Sequence, residues 1–158
     1  AGETMDLATL DELVACLEAA EAHPGALAEG SRHVDTLATD DASKARLLVL
    51  RARPAMALDR LEDAIVDLEA AYALDRLAAE GDLVAALVRA RIDAQTSSQR
   101  DVERERTLRL VDVLDAAGEA SQARDVLAEW THRTPDDVEA LVRLREVDLA
   151  SGRLDATR

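Results

Sequence analysis

Apolar residues recur along this chain at three- and four-residue intervals, the spacing that puts side chains on one face of a helix. Leu7, Leu10, Leu13, Val14 and Leu17 mark such a face over residues 6–22, leaving Glu12, Glu18 and Glu21 to solvent. His23-Pro24-Gly25 reads as the end of that helix, and Leu27, Val34 and Leu37 carry the face of a partner. Asp40-Asp41 signals the next start. The pattern then runs through Leu48 and Ala52 and resumes at Ala64, Leu68 and Ala71. Pro54 falls inside it; an interior proline removes a backbone hydrogen bond at about 3 kcal/mol, so a kink is expected near Leu50 to Pro54. Gly81 to about Ala94 is again helical, followed by the polar turn Thr96-Ser97-Ser98-Gln99, where Ser98 and Asp101 have the spacing of a capping-box start.

The clearest stretch is Thr107 to Gly152. It reads as a helix ending at Gly118, a tight turn, a second helix from Glu119 to about Arg133, a break, and a third helix with Gly152 at its end. Two helices joined by so short a turn need a residue that accepts positive φ, which glycine does without a Cβ clash. Ala123 lets the second helix approach the first, and Leu127, one turn on, fills the space between them. Thr134-Pro135-Asp136-Asp137 reads as a helix start, with threonine as N-cap, proline at the first helical position and acids facing the positive end of the dipole. The fold class expected is all-α.

Gly118 and Gly152 stand 34 residues apart, and with Ala123, Leu127 and Pro135 between them the sequence resembles the tetratricopeptide repeat family. The resemblance implies an α-solenoid of antiparallel helix hairpins, a right-handed superhelix, in a single domain spanning residues 1–158. Its repeats would lie at about 11–44 (degenerate, with Gly30 in place of the small alanine), 45–78, 79–103 (irregular), 104–137 and 138–158 (partial). In the second, Asp59 replaces glycine, tolerably because aspartate visits the left-handed region, and Arg76 replaces proline. The step from Asp59 to Gly118 is 59 residues and not two periods, so strict alternation of first and second helices fails within 77–103.

The same resemblance implies a concave groove lined by first-helix residues. Carried onto this chain, these are Arg46, Val49, Leu50, Arg53 and Met56; Glu105, Leu108, Arg109, Asp112 and Asp115; and Glu139, Val142, Arg143 and Glu146. A well-known subclass clamps the C-terminal carboxylate of chaperone peptides with lysines and asparagines. Here Lys44 is the single lysine and asparagine is absent, so although Arg109 and Arg143 match one arginine position of that clamp, chaperone-tail binding is disfavoured.

Composition narrows the function classes. A chain of 158 residues without phenylalanine and with one Trp and one Tyr must build its core from close helix contacts of alanine and leucine. A net charge of -14 argues against nucleic-acid backbones and anionic membranes, and favours a basic or amphipathic protein partner. The lone Cys16 has no intrachain disulfide partner and no basic neighbour to activate it. No apolar run is long enough to span a membrane, and no signal peptide is visible. His23, His33 and His132 are scattered without zinc-ligand spacing, Asp40-Asp41 and Asp136-Asp137 are explained by capping, and Ser97-Ser98 lacks a nucleophile elbow. Neither metal nor cofactor is expected, and no catalytic constellation is present. Trp130, where the family has a small alanine, is expected between hairpins, with a ligand platform as the rival reading.

These observations lead to a non-enzymatic interaction scaffold that holds a peptide or helix in its groove, in the cytoplasm or as part of a larger protein, with a bacterial origin suggested by the Arg-over-Lys bias. The alternative is a sensory or regulatory module of a larger signalling or transcription protein. The chain stops six residues past Gly152, so a segment of a longer array is expected. Val138, Leu141, Val142, Leu144, Val147 and Leu149 would then leave an apolar side of the last helix uncovered, inviting self-association through it.

Overall fold

A computed structural model describes residues 6–19, 22–37 and 40–151. Among the described residues the chain forms eight helices and no strand: α1 (Leu7–Ala19), α2 (His23–Leu37), α3 (Asp41–Ala57), α4 (Leu61–Leu74), α5 (Arg76–Thr96), α6 (Arg100–Ala116), α7 (Ala120–Arg133) and α8 (Val138–Ala150). The all-α class is thereby established. Gly152 lies outside the described residues, as do the side chains of Val34 and Leu37.

Two kinds of helix boundary recur among the described residues, and each follows from local chemistry. In the first, an aspartate caps the coming helix by accepting from the backbone N–H three residues on. Asp6 does so for Thr9 at 2.8 Å, Asp40 for Ser43 at 2.7 Å, Asp75 for Ala78 at 3.3 Å and Asp137 for Ala140 at 3.2 Å. In the second, one residue turns left-handed and the next N–H reaches five residues back, closing the preceding helix. Asp59 (φ 61), Ser98 (φ 59) and Gly118 (φ 81) take this conformation. The closing bonds run from Arg60 N–H to the Ala55 carbonyl, from Gln99 N–H to Ala94 and from Glu119 N–H to Leu114, all at 2.8 to 2.9 Å. The helices that follow such turns start without a side-chain cap.

These joints do not alternate strictly along the chain. The α5/α6 and α6/α7 connections are both left-handed turns, so α6 is entered like a second helix and left like a first one. They also correct three local expectations. Ser98 does not cap α6, because its backbone is committed to closing α5; Gln99 stands at the N-cap with no side-chain bond. Thr134 belongs to the end of α7, where its hydroxyl and its N–H both donate to the Trp130 carbonyl, at 2.6 and 2.9 Å, so α8 begins only after Asp137. His23-Pro24-Gly25 opens α2 and does not close α1: Pro24 sits in the first turn, where no N–H is needed. Pro54 is buried within α3, which runs on through it to Ala57.

The chain divides into two compact units, Ala1–Ala86 and Leu87–Arg158, with the boundary inside α5. In the first, α2 packs on α1 and α3, α4 packs on α3, and α1 also touches α3. Leu10, Val14, Leu47, Ala64, Leu68, Ala71 and Leu83 are fully buried there. A Cβ on Gly30 would come within 3.3 Å of Arg51 Cβ, so glycine is what allows α2 to lie this close to α3. Across α3 and α4, Arg51 donates to both Asp67 oxygens, at 2.7 and 2.5 Å. In the second unit α7 packs on α6 and α8 around Leu110, Val113, Ala123, Leu127 and Trp130. Ala123 and Leu127 thus meet the expectation set by their spacing, each fully buried side chain of leucine size contributing about 1.5–3 kcal/mol.

Candidate functional site

Within the first unit, α3 carries the first group of groove positions. Arg46 pairs with Asp11 of α1, and Arg53 donates from two nitrogens to Asp82 of α5, both at 3.2 Å. A cleft of about 310 Å³ is lined by Arg46, Val49, Leu50 and Arg53 together with Asp11 and Ala78. Val49 and Leu50 form its largely buried floor, and Met56, half-buried, lies outside it. Both arginines of this cleft therefore already face carboxylates.

In the second unit the groove positions on α6 and α8 come together. Arg143 donates to Asp112 at 2.7 Å and to Glu139 at 3.2 Å. Glu139 also accepts from Arg104 at 2.7 Å, and Arg104 donates to both oxygens of Asp137, at 2.7 and 3.2 Å. Trp130 completes this ladder of alternating charge by donating its Nε1–H to Asp137 Oδ2 at 2.9 Å. The Arg104 guanidinium holds the Asp137 carboxyl at about 2, aided by the indole and the Ala140 N–H and opposed by burial. Trp130 itself is 1 % exposed with the Arg133 guanidinium 5.7 Å from its ring centre, which makes it a packing residue and removes it as a ligand platform.

A second cleft, of about 410 Å³, opens between α6 and α8. Asp112, Asp115, Arg143 and Glu146 line it, over a floor that includes Val111 and Val147. Of the remaining expected positions, Glu105 is exposed, Leu108 is buried, Arg109 is half-buried with a partner of its own, and Val142 stands half exposed. Asp115 and Glu146 differ from their neighbours: among the described residues no ion pair and no side-chain hydrogen bond engages either carboxylate.

Sequence reasoning missed Asp11, Asp82, Arg104 and Asp137 as partners of these positions. A signal for most of them exists. Several pairs of opposite charges that meet across helices stand 31 to 36 residues apart in sequence, with separations of 35 for Asp11–Arg46, 36 for Arg100–Asp136, 33 for Arg104–Asp137 and 31 for Asp112–Arg143. Among the described residues no cluster of three or more His, Cys, Asp or Glu side chains is arranged to hold a metal ion, and no helix is long and apolar enough to cross a membrane.

Compared with protein-family models, with curated proteins and with solved structures, the chain matches none. The tetratricopeptide likeness therefore rests on the residues that carry it.

Proposed function

We propose that this chain is an interaction scaffold of the helical-hairpin repeat type, which holds a peptide or helix of a partner protein in clefts between alternate helices. The observation that carries this reading is the pairing of helices two apart in sequence within each unit. Arg46–Asp11 joins α3 to α1 and Arg143–Asp112 joins α8 to α6, and a cleft lies beside each pair. A stack of repeating hairpins sets like helices side by side in this way, and the charge separations of about one period agree with it. The clefts are open and mixed in polarity, which suits an extended or helical segment better than an enclosed small molecule.

Selecting binders from a displayed random-peptide library and mapping them on the isotope-labelled full chain by amide chemical shifts tests the proposal. Shifts concentrated on α3, or on α6 and α8, are expected. Binders that map only to other surfaces, or selection that yields none, would overturn it.

A further inference from the structure

The described lining of the α6–α8 cleft is unevenly charged. Three carboxylates, Asp112, Asp115 and Glu146, share it with one guanidinium, that of Arg143. Both terminal nitrogens of Arg143 are committed, one to Asp112 and the other to Glu139, and among the described residues no cation pairs with Asp115 or Glu146. Beneath them lies apolar surface from Val111, Ala120, Val147 and Ala150. Acids above an apolar floor complement a side chain with a hydrocarbon stem and a cationic head.

We infer that this cleft receives a lysine or arginine side chain from an amphipathic partner segment, its stem on Val111 and Val147 and its charge between Asp115 and Glu146. The inference rests on the scaffold reading and adds the chemistry of the residue recognised. Asp112 and Glu139 share the Arg143 guanidinium between them. In the first unit the cleft arginines face Asp11 and Asp82, so the same demand for a cation does not arise there.

The probe is an amphipathic Leu/Lys peptide titrated into the isotope-labelled full chain, with the Leu/Glu counterpart as comparison. Saturable shifts at Asp115, Glu146 and Val147 are expected with Leu/Lys only. Asp115→Asn/Glu146→Gln should weaken binding by roughly tenfold or more. Asp93→Asn/Asp101→Asn removes the same charge elsewhere in the second unit and should change it less than about twofold, since exposed charges beyond a Debye length of about 8 Å are screened. Equal losses in the two double variants would reduce the effect to net charge and overturn the inference. Saturable binding that maps to α3 would also overturn it, while leaving the scaffold reading in place. Absence of saturable binding by either peptide would count against both.

Discussion

At the scale of single residues, the left-handed joints show what a side chain costs. Asp59 and Ser98 hold φ near +60°, a conformation that glycine takes freely and other L-residues take at a cost of about 1–2 kcal/mol, less for aspartate. Ser98→Gly should raise stability by up to about 1 kcal/mol, and Gly118→Val should lower it by about 1–3 kcal/mol, as read by thermal unfolding. The open space around Gly118, where an added Cβ would meet nothing within 4 Å, assigns that loss to the backbone and not to crowding. Thr107 gives the opposite case, a fully buried hydroxyl with no hydrogen-bond partner among the described residues. Thr107→Val should stabilise the fold by about 0.5–1.5 kcal/mol in denaturant titration, because it removes an unsatisfied polar atom at nearly constant volume. Asp137 supplies a pH signature. Its folded-state value of about 2 lies below the ordinary carboxylate value of 3.8, so its contribution is complete above about pH 4 and is lost as pH falls through 2. Wild type and Asp137→Asn should differ by about 1–2 kcal/mol at neutral pH, after allowance for solvent screening, and converge in acid. Gly118 and Asp40 were readable from sequence because each can serve only one kind of joint well. Thr134 was not, because its hydroxyl serves a helix end as readily as a helix start, and the neighbouring Pro135-Asp136-Asp137 favoured the wrong one.

At the scale of the element, α8 is the least covered helix of the second unit. Ala140 is its one buried residue among those described, while Val138 is 69 %, Leu141 40 %, Val142 50 % and Leu149 44 % exposed. These four fall within an arc of about 100° on an ideal helix, opposite the face that carries Ala140 and Val147. The expectation of an uncovered apolar side thus holds, but it lies elsewhere than on Leu144 and Val147, both of which are half-buried. Concentration-dependent light scattering is the expected consequence, since apolar surface left in water costs about 25 cal/mol per Å². Leu141→Lys/Val142→Lys should abolish it with unfolding stability changed by no more than about 0.5 kcal/mol, whereas Leu144→Glu/Val147→Glu should unfold the helix as well. The periodic pattern revealed that α8 is apolar on more than one side. It could not rank the sides, because that depends on which one α7 reaches.

At the scale of the whole molecule, the all-α class follows from periodicity and from the near absence of aromatic plates. The clefts depend instead on ion pairs between distant helices, which a local reading cannot see. Acidic residues number 33 against 19 basic ones, so charge repulsion persists after every cation is paired. Thermal stability should therefore rise as sodium chloride is raised from a few millimolar to about 0.15 M, where the Debye length is about 8 Å, despite weakening of the exposed ion pairs, each worth about 0–1 kcal/mol. A midpoint that falls with salt would place those pairs above net repulsion. Trp130 is the single indole of the chain, shielded from water, hydrogen-bonded to a carboxylate and placed beneath an arginine. Its emission should be shifted to the blue and should report on the α7–α8 joint. Through Asp137, Arg104, Glu139 and Arg143 that joint connects to the cleft wall, so a segment held there as proposed should alter the emission, which makes the indole a label-free test of the proposal.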